Sequence, residues 1–167
     1  MAVQVYGESD FRAQIEAGLR RWQSVDPESL DLIDSIKTIY EHSDNYKAFT
    51  LPNGDIYLSR RLAFWPKVGA SLQLDILASY LAHESAHAYM LSLDNEHWND
   101  KQGEAVATKY QELIAERLGI PMIYITYPER TVGVRGVISN DIEWAKLGAL
   151  AAGALATVVV TSRAMSK

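Results

Sequence analysis

His83-Glu84-Ser85-Ala86-His87 sits near the centre of the longest uninterrupted helical pattern in the chain, residues 71–93, a run rich in Leu, Ala and Tyr. Histidines four positions apart lie little more than one helical turn apart. His83 and His87 therefore project from one face and can share a metal ion. Glu84 stands beside them, where a carboxylate can hold a water and take its proton. Two imidazoles and a carboxylate suit Zn²⁺, which accepts three protein ligands and keeps a fourth position open. A chain with this pattern has to pack its other elements around that helix and return one more ligand to it. The plainer reading is a helix face with partly buried, hydrogen-bonded histidines. Two of only four histidines in this pattern, with a glutamate between them, weigh against it.

The third ligand is less sharply marked. The chain has no cysteine, so any zinc rests on histidine and carboxylate. Glu104 opens the next helical pattern, about residues 103–118, which stops at Gly119-Ile120-Pro121, a C-cap glycine with proline beyond. An antiparallel helix hairpin would bring Glu104 back beside the two histidines, and the small neighbours Gly103 and Ala105 would permit close approach. As an ordinary acid at a helix start it would need no metal. His97 is the rival, in the polar break 94–100, where Asp94 and Glu96 serve mainly to keep the loop polar. His97, Tyr89, Tyr124 and Tyr127 are candidates to stabilise an oxyanion, although each tyrosine taken singly fits core packing.

Around this centre the pattern is α+β. Phe11, Ile15, Leu19 and Trp22 mark one face of a helix over residues 8–23, and Asp26-Pro27 caps a short second helix reaching Ile33. Residues 35–42 alternate as a strand. Residues 47–51 and 56–58 flank Pro52-Asn53-Gly54-Asp55 as a hairpin, so a small antiparallel sheet of three strands is expected. The strand Ile56-Tyr57-Leu58 is expected to dock an extended peptide along its edge. Residues 122–127 and 131–135 read as two further strands, and Ser139-Asn140-Asp141 as the cap of a final helix through Val160. The division expected is a catalytic-type domain over 1–138 and an apolar C-terminal helix over 139–167.

That last segment carries sixteen uncharged residues, 147–162, behind Trp144, with small residues at Gly148 and Ala152 and at Ala149 and Gly153. It fits a membrane anchor, a helix that packs against copies or partners in an assembly, or a helix buried in its own domain. Residues 1–8 show no basic region leading into an apolar core, so no signal peptide is expected. The location is left open by the sequence, with intracellular or membrane-associated through the C-terminus as the expectations that remain. A formal net charge of −5 offers no basic footprint, so nucleic acid is not an expected partner.

With these residues in place, the chain resembles the zincin metallopeptidases, and within them the gluzincins. The resemblance implies a zincin-like fold, a bound Zn²⁺ and hydrolysis of peptide bonds in a peptide or protein substrate. It implies His83, His87 and Glu104 as metal ligands and Glu84 as general base. Gly103-Glu104-Ala105 also looks like a segment of compact peptidases related to phage-repressor-cleaving enzymes. His83 to Tyr89 is similar to the SprT-type proteases, a likeness that would favour His97 as third ligand. Leu93 stands where metzincins carry a third histidine, and Thr108 where many gluzincins carry an aspartate that orients the second one. The competing class is a non-enzymatic structural or assembly protein, such as a component of a larger particle, in which zinc only holds a zincin-like fold.

Overall fold

The computed structural model describes residues 3–43, 47–65, 68–121 and 125. Their fold is α+β. Strand β1 (Gln4–Tyr6) leads into helix α1 (Ser9–Val25), a 3₁₀ turn (Pro27–Ser29) and helix α2 (Leu30–Ser35). Strands β2 (Thr38–His42), β3 (Ala48–Thr50) and β4 (Asp55–Ser59) follow, then the short helix α3 (Arg60–Ala63) and the long helices α4 (Ala70–Ser92) and α5 (Lys101–Leu118).

The sheet departs from the one expected. It has four strands in the order β1-β2-β4-β3, with β1, β2 and β4 parallel and only β3 antiparallel, so it is mixed. A three-residue strand is too short to show periodicity, which hid β1. The crossover through α1 and α2 makes β1 and β2 parallel, because parallel neighbours need a long connection. The hairpin does form. Leu51 O accepts from Gly54 N at 2.9 Å, and Gly54 takes φ 82°, the left-handed conformation glycine adopts at little cost. Its second strand, however, is interior. Ile56, Tyr57 and Leu58 pair with β2 on one side and β3 on the other, so the docking edge expected there is not an edge. β3 occupies it instead.

Alternation sorts the sheet into two faces. Ile39, Ile56, Leu58 and Ala48 point into the core. On the opposite face Tyr6, Tyr40, Tyr57 and Phe49 lie in register across all four strands, stacked at 5.3, 5.0 and 5.3 Å between ring centroids. Such cross-strand pairs pin the register.

Helix α4 is the axis of the fold. Every residue from Asp75 to Met90 is buried, as an apolar helix with no polar face has to be. The sheet, α1, α2 and α5 all pack on it. Arg21 of α1 pairs with the mostly buried Asp75 at 2.6 Å. Arg60 contacts Asp10, Glu41 and Glu8 and lies over the Phe64 ring, tying the start of α1 to the end of β4. The Arg60 hydrogen bond holds the Asp10 carboxyl below its ordinary value.

Among the described residues no helix is long and apolar enough to cross a membrane. The strands expected at 122–127 and 131–135, the C-terminal helix and the boundary at residue 138 lie outside the described residues, apart from Ile125, which is buried in the core.

Candidate metal centre

Helix geometry sets the first two groups. His83 and His87 are almost fully buried on α4, and their Nε2 atoms stand 3.3 Å apart. Helix α5 packs on α4 and brings Glu104 in its first turn. One Glu104 oxygen lies 3.7 Å from His83 Nε2 and the other 3.7 Å from His87 Nε2. One ligand atom from each of the three residues falls within 4.8 Å of the others. Tetrahedral bonds of about 2.0–2.1 Å would place ligand atoms roughly 3.3–3.4 Å apart, so a small cation fits between them with little adjustment. Two imidazoles and a carboxylate without thiolate suit a divalent transition-metal cation, zinc and iron among them.

The His87 ring is oriented by the main chain. Its Nδ1 contacts the carbonyl oxygen of Trp98, which can only accept, so Nδ1 carries a proton and, in the neutral ring, Nε2 keeps its lone pair. A loop carbonyl, rather than any side chain at position 108, thus orients the His87 ring. Glu84 is 2% exposed. Thr50 Oγ1, from the inward face of β3, is 3.0 Å from Glu84 Oε2 and 3.0 Å from the Glu84 carbonyl, and its proton can serve either oxygen. Thr50 was not anticipated, although Phe49 pointing outward on β3 requires Thr50 to point in.

His97 is not brought to the two histidines. Its Nδ1 pairs with Asp100 Oδ2 at 2.5 Å, and the ring is nearly half exposed. Asp100 in turn caps α5, accepting from the backbone N–H of Gln102 at 2.7 Å and of Gly103 at 3.1 Å. Tyr89 is two positions beyond His87, hence on the far side of α4. It lies in the core, where burial first and Asp31 second push its hydroxyl pKa up. Asp94, two residues past the end of α4, takes the left-handed conformation at φ 53°, and Glu96 is exposed beside His97. Tyr124 and Tyr127 lie outside the described residues.

The His97–Asp100 pair has a readable pH signature. The hydrogen bond to Asp100 raises His97 above its ordinary 6.5, and the same bond lowers Asp100 below its ordinary 3.8. A raised histidine contributes stability that is complete below the unfolded pKa and is lost as pH rises through the folded one. A lowered aspartate contributes above its unfolded pKa and loses that as pH falls through the folded one. An NMR titration should place the His97 midpoint above 6.5, and Asp100→Asn should bring it back toward that value. An unchanged midpoint in the variant would contradict the pairing.

No protein-family model matches the chain, and neither does any curated protein or solved structure.

Proposed function

We propose that the chain is a zinc-dependent peptidase with a zincin-like active site. The observation that carries this reading is the convergence of His83, His87 and Glu104 on one small-cation site, with the Glu84 carboxylate beside it and hydrogen-bonded by Thr50. His83, His87 and Glu104 would hold the metal. A zinc ion there would supply Lewis acidity, polarising a substrate carbonyl and easing deprotonation of water.

Glu84 takes the proton from the attacking water and passes it to the departing amine. Thr50 holds that carboxylate in one orientation. Among the described residues no strand pairs with β3 on the side away from β4. An extended substrate backbone can therefore add there as a further strand, next to the residue that orients the base. A mixed parallel and antiparallel sheet ending on that edge, packed on the helix that bears the ligands, is consistent with a zincin-like arrangement.

Elemental analysis of the purified protein should find about one zinc per chain, and His83→Ala should lose it. The wild type should also cleave members of an unstructured peptide library. A metal-free wild type sinks the proposal. Zinc retained without turnover on any peptide favours the structural, non-enzymatic alternative.

A further inference from the structure

Glycine is a poor choice for the interior of a helix start, yet Gly103 occupies the third position of α5 and is buried. The reason is a close approach of main chain to main chain. A Cβ on Gly103 would stand 2.0 Å from the carbonyl oxygen of His97 and 2.7 Å from both the carbonyl carbon and oxygen of Trp98. These are backbone atoms, so the clash cannot be relieved by turning a side chain. The Trp98 carbonyl is the group that fixes the His87 ring. The next residue, Glu104, reaches both histidines. Asp100 fastens the turn from within, through its cap of α5 and its bond to His97.

We infer that Gly103 is a positioning residue for the metal centre: its missing side chain lets the α4–α5 turn seat the Trp98 carbonyl on His87 Nδ1 while α5 delivers Glu104. The inference deepens the metal reading proposed above and rests on it for its consequence, but the tautomer it assigns to His87 exists without metal. A methyl group at position 103 pushes the turn off α5. The His87 ring then loses its partner and the carboxylate shifts relative to the two imidazoles. Loss of such outer contacts typically weakens metal binding by about 10–100-fold.

Zinc affinity, measured on the full chain by competition with a chromophoric chelator, should fall by about 10–100-fold in Gly103→Ala. The helical circular dichroism of the variant should stay that of the wild type. A folded Gly103→Ala that binds zinc as tightly as wild type overturns the inference. Long-range ¹H–¹⁵N spectra of the wild type supply a second measurement, independent of whether the variant folds. At a pH where the ring is neutral, His87 of the wild type should be the Nδ1–H tautomer in metal-free and zinc-loaded protein alike; in a folded Gly103→Ala that proton should also lose its protection from exchange. The Nε2–H tautomer, or zinc on Nδ1, overturns it. Absence of zinc binding in the wild type defeats the metal reading instead, and leaves the metal-free tautomer to decide this one.

Discussion

Glu84→Gln should leave zinc in place and lower peptide turnover by a factor of about 10²–10⁴, the range a positioned general base contributes. The substitution keeps the size of the side chain and an oxygen that can still accept the Thr50 hydroxyl, so the packing of a 2% exposed group is preserved. What disappears is the negative charge that takes a proton. Glu84 is not one of the three residues whose ligand atoms cluster, so metal content should not change. Thr50→Val gives the graded comparison. It deletes the hydroxyl but not the carboxylate, so turnover should fall by less than in Glu84→Gln and return in Thr50→Ser. Full activity in Glu84→Gln would remove Glu84 from the chemistry, and loss of zinc in that variant would make it a ligand.

Trp22→Ala should be the most damaging change away from the site, costing about 3–5 kcal/mol of folding free energy. Trp22 is fully buried between α1 and the rest of the core, with its ring edge-on to Tyr110 of α5 at 6.1 Å between centroids. Its indole N–H donates to the Tyr110 hydroxyl at 3.3 Å. That hydroxyl donates to Asp26, whose other oxygen accepts from Arg117 at 2.8 Å. Burial first, then the bond to Asp26, raises the Tyr110 pKa far above its ordinary value, so the hydroxyl remains a donor throughout the accessible pH range. Truncation to alanine opens a cavity and removes one donor from this buried chain. Domains of this size are stable by only about 5–15 kcal/mol, so the loss takes a large share of the total. Urea unfolding should show a lower midpoint at an unchanged slope. A loss below about 1 kcal/mol would mean that the site collapses around the missing ring.

The pair His83 and His87 and the return of Glu104 were legible because both depend on helix period and one short connection, which are local. The α1 face of Phe11, Ile15 and Trp22 was legible for the same reason, and all three are fully buried. Sheet order was not legible. Whether β4 lies inside or at the edge depends on where β2 and β3 settle, and that is decided by packing on α4 rather than by any residue in β4. β1 carries only Gln4, Val5 and Tyr6, too few for a period to appear. The partner of His87 left no side-chain trace because it is a carbonyl. Its one indirect sign is Gly103, a weak helix former placed where a helix begins. His97 was a reasonable rival as a residue type, but a turn that closes on Asp100 three positions later gives it a nearer carboxylate than any metal ligand set would.

Because α4 is enclosed from Asp75 to Met90, the stretch that bears both histidines has no exposed flank on which mutations could accumulate harmlessly. If the site takes a peptide as proposed, change in what it admits falls to the two segments that border it, β3 and the turn between α4 and α5. Both are short and peripheral, and neither supplies a large core side chain. Under the peptidase reading proposed above, substitutions there would alter substrate preference and leave the cluster of His83, His87 and Glu104 in place.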